Sequence, residues 1–302
     1  MLRLTVAGYA PPASSHSRAL DRFRRRLEGM APRVDVEIVW NVVDMGRAVG
    51  DLLGLVEGGD FTICYLSTSY LTDRVPELAL VDTPYRFQDL ASAHSALDGE
   101  AGRILSEATS SATGLEVLGY WDNGFRHLTN RLREVRRVED CSAMRIRVQP
   151  SPIHERMVGL WGAVPVPTDL WEGIDLIASG AVDAQENPLS NTVAYGIDRH
   201  HRHVSLTGHL YGARGLYANR NAVHSWPSEA RRAIEDAARD AIEWQRVAAA
   251  HEEAEIVNRL RRDGAMVVEL TEPELATFSV AVAPLREEID ASLPPEILGA
   301  LK

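Results

Sequence analysis

The sequence predicts an α/β fold with a mostly parallel sheet, divided into two domains around a ligand cleft. Three observations carry this expectation. Short strand-like runs alternate with helix-like stretches from the N-terminus onward, the pattern of a sheet covered by helices on both faces. The chain has 302 residues, more than one core usually holds and close to the length of two domains. A stretch from Ser228 to about Arg262 reads as one helix of ~35 residues, which at 1.5 Å per residue is long enough to bridge both domains.

Leu2 to Ala7 alternates as a strand, and Gly8-Tyr9-Ala10-Pro11-Pro12 turns the chain. Ser14 or Ser15 caps a helix running to about Glu28. Val34 to Trp40 is a second strand, Gly46 to Val56 a helix ended by Gly58-Gly59, and Phe61 to Leu66 an apolar strand buried on both faces. Leu90 to Thr109 reads as a helix and Leu115 to Trp121 as the next strand. Arginine-rich turns from Arg126 to Arg137 mark a crossing into the second domain, and Arg145 to Ser205 supplies its strand–helix–strand core. Gly208 to Gly212 is a candidate return crossing. Ser225 or Ser228 caps the long helix, Gly264 ends it, and a strand from Met266 and a helix from Glu272 finish the chain. Chains that cross repeatedly make a hinge, and hinged α/β pairs close around ligands held between them.

Composition narrows the function. Hydrophobic residues make up 45% and charged residues 25%, ordinary for a soluble globular protein. No apolar run approaches the ~18 residues of a membrane span. The net charge of -11 argues against a nucleic-acid binder. An anionic ligand would need a locally positive pocket, for which Arg126, Arg145 and Arg147 are candidates. Cys64 lies in an apolar run and Cys141 in a polar one, and two cysteines give no spacing signature. The run His200-His201-Arg202-His203 lacks metal-ligand spacing, since adjacent strand residues point to opposite faces. Phosphate-loop, dinucleotide and nucleophile-elbow motifs are absent, so no cofactor is expected. The start Met1-Leu2-Arg3-Leu4 runs straight into a strand without an export-signal pattern, which taken alone reads as cytoplasmic.

Arg145 to Asn187 is the most informative stretch. Arg145-Ile146-Arg147-Val148 is a strand with two cations at period two, and Val182-Asp183-Ala184-Gln185-Glu186-Asn187-Pro188 is a polar cluster after a later strand. Loops after such strands gather along the sheet edge where open α/β folds bind ligands. A guanidinium there can grip a carboxylate with two parallel hydrogen bonds, although an ion pair at a strand end fits Arg147 equally well. Arg126 follows a tight-turn signal, and Asn187 either orients a ligand or caps the next helix. In the first domain, Tyr9 follows the first strand, and Ser67, Thr68 and Tyr70 follow the third.

These motifs, with Gly119-Tyr120-Trp121-Asp122-Asn123-Gly124-Phe125-Arg126 and Leu206-Thr207-Gly208-His209-Leu210-Tyr211, resemble the DctP-type solute-binding proteins of tripartite ATP-independent periplasmic (TRAP) transporters. Val75-Pro76-Glu77-Leu78 and Asp82-Thr83-Pro84-Tyr85 fit the same family, and the resemblance runs over nearly the whole chain. It implies a two-lobed periplasmic-binding-protein-like fold with a hinge and a long helix along both lobes. The expected division is 1–122 plus 212–250 for lobe I and 123–211 plus 251–302 for lobe II. It also implies that Arg147 clamps a ligand carboxylate, that Arg126 adds a second cation, and that Asn187 orients the same group. An aromatic is expected near Leu170 and Trp171, with leucine standing where the family places the ring. Tyr211 and His209 lie on the return crossing, where Tyr211 is a candidate for the cleft wall.

The implied partners are a small organic acid and the membrane subunits of a TRAP transporter, with no nucleic acid, and with the chain a periplasmic monomer whose export signal has been removed. Serine, threonine, tyrosine and tryptophan on the specificity side favour a monocarboxylate with an apolar or aromatic body. The alternatives are an enzyme acting on a carboxylated substrate and a soluble sensory module.

Overall fold

The computed structural model describes residues 1–31 and 33–301. The first lobe begins with β1 (Leu2–Ala7), α1 (Ser15–Met30), β2 (Val34–Val39), α2 (Leu52–Glu57) and β3 (Ile63–Ser67). The Ser14 hydroxyl accepts the Ser17 amide and starts α1, satisfying one of the free N–H groups of its first turn. Next come α3 (Ala79–Asp82), α4 (Leu90–Asp98) and α5 (Glu100–Ala112). The single helix expected from Leu90 to Thr109 is thus broken at Gly99, where extended backbone lets Gly102 pack against the Leu97 carbonyl.

β4 (Leu115–Asn130) then runs through both lobes. The second lobe contains β5 (Arg145–Val148), α6 (Pro152–Leu160), β6 (Val164–Pro167), α7 (Leu170–Ser179), β7 (Ala184–Asn187) and α8 (Leu189–Ala194). The return path is β8 (His203–Asn219), followed by α9 (Arg220–Ser225), α10 (Ser228–Arg262) and β9 (Met266–Glu269). Pro227 stands at the N-cap of α10, and neither candidate serine caps it through its side chain. The chain ends in α11 (Glu272–Ala281), α12 (Ala283–Ser292) and α13 (Pro295–Gly299).

All nine strands belong to one sheet, ordered β2-β1-β3-β8-β4-β7-β5-β6, with β9 also on β8. β1, β2 and β3 are parallel, as are β5, β6 and β7, so each lobe has the helix-covered parallel arrangement its alternation predicts. β4 and β8 join the halves as an antiparallel pair whose register shifts at Val117/Gly119, Asp122/Gly124 and Arg126/Leu128. Extra residues of this kind bend and twist a strand, allowing one pair of strands to serve both lobes. α10 packs on α1 and β4 at one end and on α8 and β9 at the other. α12 lies against α3 and α6, and α13 against α5, so the C-terminal segment returns to first-lobe helices. Cys64 and Cys141 are free and buried. No helix among the described residues is long and apolar enough to cross a membrane.

Candidate functional site

Where the two lobes face each other, Tyr9, Ser67, Tyr70, Asn123, Arg126, Arg147, Gln149, Leu170, Asn187, Asn191, Tyr195 and Arg214 converge, with Val49, on a cavity of about 30 Å3. The lobes touch across it, because the Tyr70 hydroxyl donates to Asp169 Oδ1 at 3.3 Å. A larger groove of about 690 Å3 beside the crossing is mostly apolar. Its titratable lining is Asp122, Glu253 and Glu272 with two histidines and Tyr85, and it has no arginine. It therefore has nothing to balance a carboxylate, whereas the small cavity has three guanidiniums and no Asp or Glu in its lining.

Those guanidiniums differ in their partners. Arg126, on β4, makes a two-pronged ion pair with Glu186 on β7, including Nη2 to Oε1 at 2.8 Å, and Nη2 also donates to the Glu186 carbonyl. Behind it, His154 Nδ1 lies 3.1 Å from Glu186 Oε1 and His209 Nε2 lies 3.3 Å from Oε2. Burial alone would raise the Glu186 carboxyl, but Arg126 and the two imidazoles hold it well below the usual carboxylate range. Burial also lowers His209, against the pull of Glu186.

Arg147 is only 3% exposed yet meets no carboxylate at ion-pair distance among the described residues. Its Nη2 donates to the Thr168 carbonyl at 2.7 Å and its Nε to Thr168 Oγ1 at 3.3 Å. Burial pulls this guanidinium below its ordinary value, and the neighbouring Arg126 adds to that, against an opposing pull from Tyr70, Glu186 and Asp169. Gly173, in the first turn of α7, lies directly over it. A Cβ there would stand 2.5 Å from Arg147 Nε.

Arg214, on β8, is 1% exposed. It donates from Nη2 to Asn191 Oδ1 at 3.1 Å, while Nε and Nη1 are buried without a partner. Its guanidinium lies over the rings of Tyr9 and Tyr65, 4.8 and 5.6 Å from their centroids. Burial pushes Tyr65 up to about 12 and raises Tyr9 and Tyr195 as well, so these phenols stay neutral. Asn191 also donates to Asn187 Oδ1 and Asn123 Oδ1, forming an amide chain along one wall.

Of the residues expected from the sequence, Arg147, Arg126, Asn187, Ser67, Tyr70 and Tyr9 lie in the lining, and three do not. The Thr68 hydroxyl is turned into the fold toward the Ala213 carbonyl. Trp171 is 40% exposed and packs edge-on against Tyr195, while Leu170 faces the cavity. Tyr211 donates to Asp122 Oδ1 at 2.5 Å, inside the crossing. Arg126 is already neutralised by Glu186, which separates it from Arg147. Sequence reasoning missed Arg214, Asn191, Asn123, Gln149 and Tyr195. The available signal for Arg214 was a lone charge inside the small, apolar run Gly212-Ala213-Arg214-Gly215-Leu216. With Trp171 outside and amides and a third arginine inside, the lining no longer favours an apolar or aromatic ligand body.

Known proteins are similar to this chain. The Verminephrobacter eiseniae solute-binding protein is 29% identical over 90% of this chain and 80% of its own length. The 2,3-diketo-L-gulonate-binding periplasmic protein YiaO of Escherichia coli is 29% identical over 79% of this chain and 71% of its own. The sugar acid binding protein DctPAm of Advenella mimigardefordensis, solved with galactonate, superposes with a TM-score of 0.93 at 23% identity, covering 99% of this chain and 96% of that one. These relatives are binding proteins rather than enzymes. The bacterial extracellular solute-binding protein, family 7, profile matches residues 7–292. The chain therefore belongs to the DctP family of TRAP solute-binding proteins.

Proposed function

We propose that this chain captures a small organic acid in the periplasm, as a monomer, by clamping its carboxylate on Arg147, and delivers it to the membrane subunits of a TRAP transporter. The observation that carries this reading is the buried Arg147 guanidinium, which faces a lining without carboxylates and, among the described residues, hydrogen-bonds only to Thr168. The acid enters with the lobes apart, its carboxylate supplies the missing charge, and Asn187 and Asn191 orient it. Closure brings Tyr70 to Asp169 and excludes water, which strengthens the ion pair. Family membership and the ligands named for similar proteins support an acid as cargo: 2,3-diketo-L-gulonate for YiaO, galactonate for DctPAm, and D-erythronate for a Polaromonas protein 25% identical to this chain.

A thermal-shift panel of organic acids tests it. An acid at 100 times its dissociation constant should stabilise the protein by roughly 2.7 kcal/mol. The shift should vanish in Arg147→Ala. Undiminished binding by that variant would end the clamp.

A further inference from the structure

The amide wall of the cavity is supported from behind by the long helix. Asn191, on α8, donates to Asn187 and Asn123 and accepts from Arg214, so its position sets that wall. α8 in turn rests on α10, where Leu189 packs in one cluster with Ile256 and Leu260. Along α10, Ala233 to Ile242 contribute to the main core and Ile256 and Leu260 to this smaller cluster. Glu253 lies where the helix changes support, with the Leu189 and Ser190 amides facing its carboxyl.

The same carboxyl lines the apolar groove beside the crossing, together with Gly124 and Gly208. Both glycines have positive φ, and β4 shifts register at Asp122/Gly124, so the groove backs onto the bends that join the lobes. Ser15 and Leu90 reach it from first-lobe helices and Ser190 from the second lobe, so a change in the angle between lobes reshapes it. Glu253 Oε1 is sealed from water without a partner, although 33% of the side chain stays exposed and leaves protons a way in. Burial raises this carboxyl to about 7, helped by Glu252 and opposed by the Ser190 and Leu189 amides. From β4, His127 turns Nε2 toward it at 3.7 Å; Nδ1 accepts the Gly208 amide, and burial lowers the ring to about 3, leaving it neutral. Asp122 on the same strand is engaged by Tyr211 and His94, and burial keeps His16 of α1 neutral. Burial raises Tyr85, and α11 presents only Glu272, so nothing in the groove supplies a positive charge.

We infer that Glu253 is a proton-operated positioning residue for the cleft. With a proton on its carboxyl, α10 packs dry against Leu189 and Ser190 and holds Asn191 at the cavity; without it, water enters the groove and the wall loosens. The inference rests on the capture reading and adds a regulation to it. With the lobes apart and the groove hydrated, the carboxyl returns toward its ordinary value of 4.5; with them closed it stands near 7. Closure on an acid therefore takes up a solvent proton between those values, and affinity falls as pH rises through that window and levels off above it.

Calorimetric titration with galactonate and D-erythronate, hydroxy acids that stay ionised from about pH 5.5 to about pH 8, tests this. For the parent protein the dissociation constant should rise at least about threefold across that range, with net proton uptake near pH 6 in buffers of different ionisation heat. Glu253→Gln, an isostere of the protonated acid, should show a flat profile, no uptake, and at the alkaline end an affinity close to the parent's at the acid end. Glu253→Asp, which keeps an acid at shorter reach, should move the window, and it serves if the glutamine variant does not fold. A flat parent profile without proton uptake overturns the role of Glu253 and leaves the Arg147 clamp standing. So does a pH dependence that persists in Glu253→Gln or stays unmoved in Glu253→Asp. If no acid of the thermal-shift panel binds at any pH, the capture reading and this inference fall together.

Discussion

The two ends of β5 hold the same side chain in opposite circumstances. At the outer end Arg145 is 44% exposed and donates from Nε and Nη2 to Asp183, which Arg131 also engages. These two arginines hold the Asp183 carboxyl below the usual range, despite some opposing burial. At the inner end, two residues on, Arg147 is sealed from water and has no carboxylate partner. The outer arginine closes an ion pair that solvent screens, so it contributes little to stability and nothing to recognition. On the proposed capture reading, the inner one is a liability to the folded chain until an anion arrives. On that reading unbalanced burial, and not the abundance of arginine, marks the binding residue. Arg126 sits between the two cases, as deeply buried as Arg147 but matched by Glu186.

The sharpest way to break this comparison is Arg147→Ala. It should weaken acid binding by 3–5 kcal/mol, about the penalty for breaking a buried pair, which is more than a hundredfold in dissociation constant. Apo stability should stay level or rise, read as an unchanged or higher Tm. A large fall in Tm would mean that Arg147 is structural after all. Glu186→Gln makes the opposite change, stranding Arg126. Stability should fall by about 3–5 kcal/mol, measured by denaturant unfolding. The pH dependence follows from the depressed Glu186 carboxyl. Its contribution is present above the ordinary value of 4.5 and is lost as the pH falls toward its lower native value. The gap between parent and variant should thus be flat from neutrality down to the ordinary value of 4.5 and close progressively below it; a gap that widened in acid would contradict the assignment. Gly173→Ala should displace the Arg147 guanidinium and weaken binding by about 1–3 kcal/mol, the range for overpacking a tight site. Titration with the same acid reads that effect. Arg145→Ala should do least, with unchanged affinity and a stability loss of no more than about 1 kcal/mol. If it impaired binding as much as Gly173→Ala does, the two ends of the strand would not be independent.

What the sequence made legible follows the same physics. Strand and helix ranges came through where a single periodicity ran undisturbed, as in β1 and in α10, whose bounds coincide with the expected ones. The sequence reads Asn123-Gly124-Phe125 as a turn and Gly208 to Gly212 as a short crossing, whereas continuous strands run through both places. Gly119, Gly124 and Gly208, with positive φ, are points where strands β4 and β8 bend or shift register. Arg147, Asn187 and Arg126 lay in recognisable motifs. Arg214 belongs to no motif, and only the pairing of β8 with β3 reveals that it faces the others. Trp171 failed by one position. Adjacent helix residues point about 100° apart, so once Leu170 faced the cavity its neighbour had to look elsewhere.

The path of the C-terminal segment has a consequence for synthesis. β9 completes the sheet beside β8, α12 and α13 come back to α3 and α5, and Leu285, Ile289 and Ile297 are buried there. Neither lobe can therefore seal its core from an uninterrupted N-terminal stretch of chain. Where independent domains mature one after another as they leave the ribosome, here both halves acquire their final packing only once β9, α12 and α13 have been made.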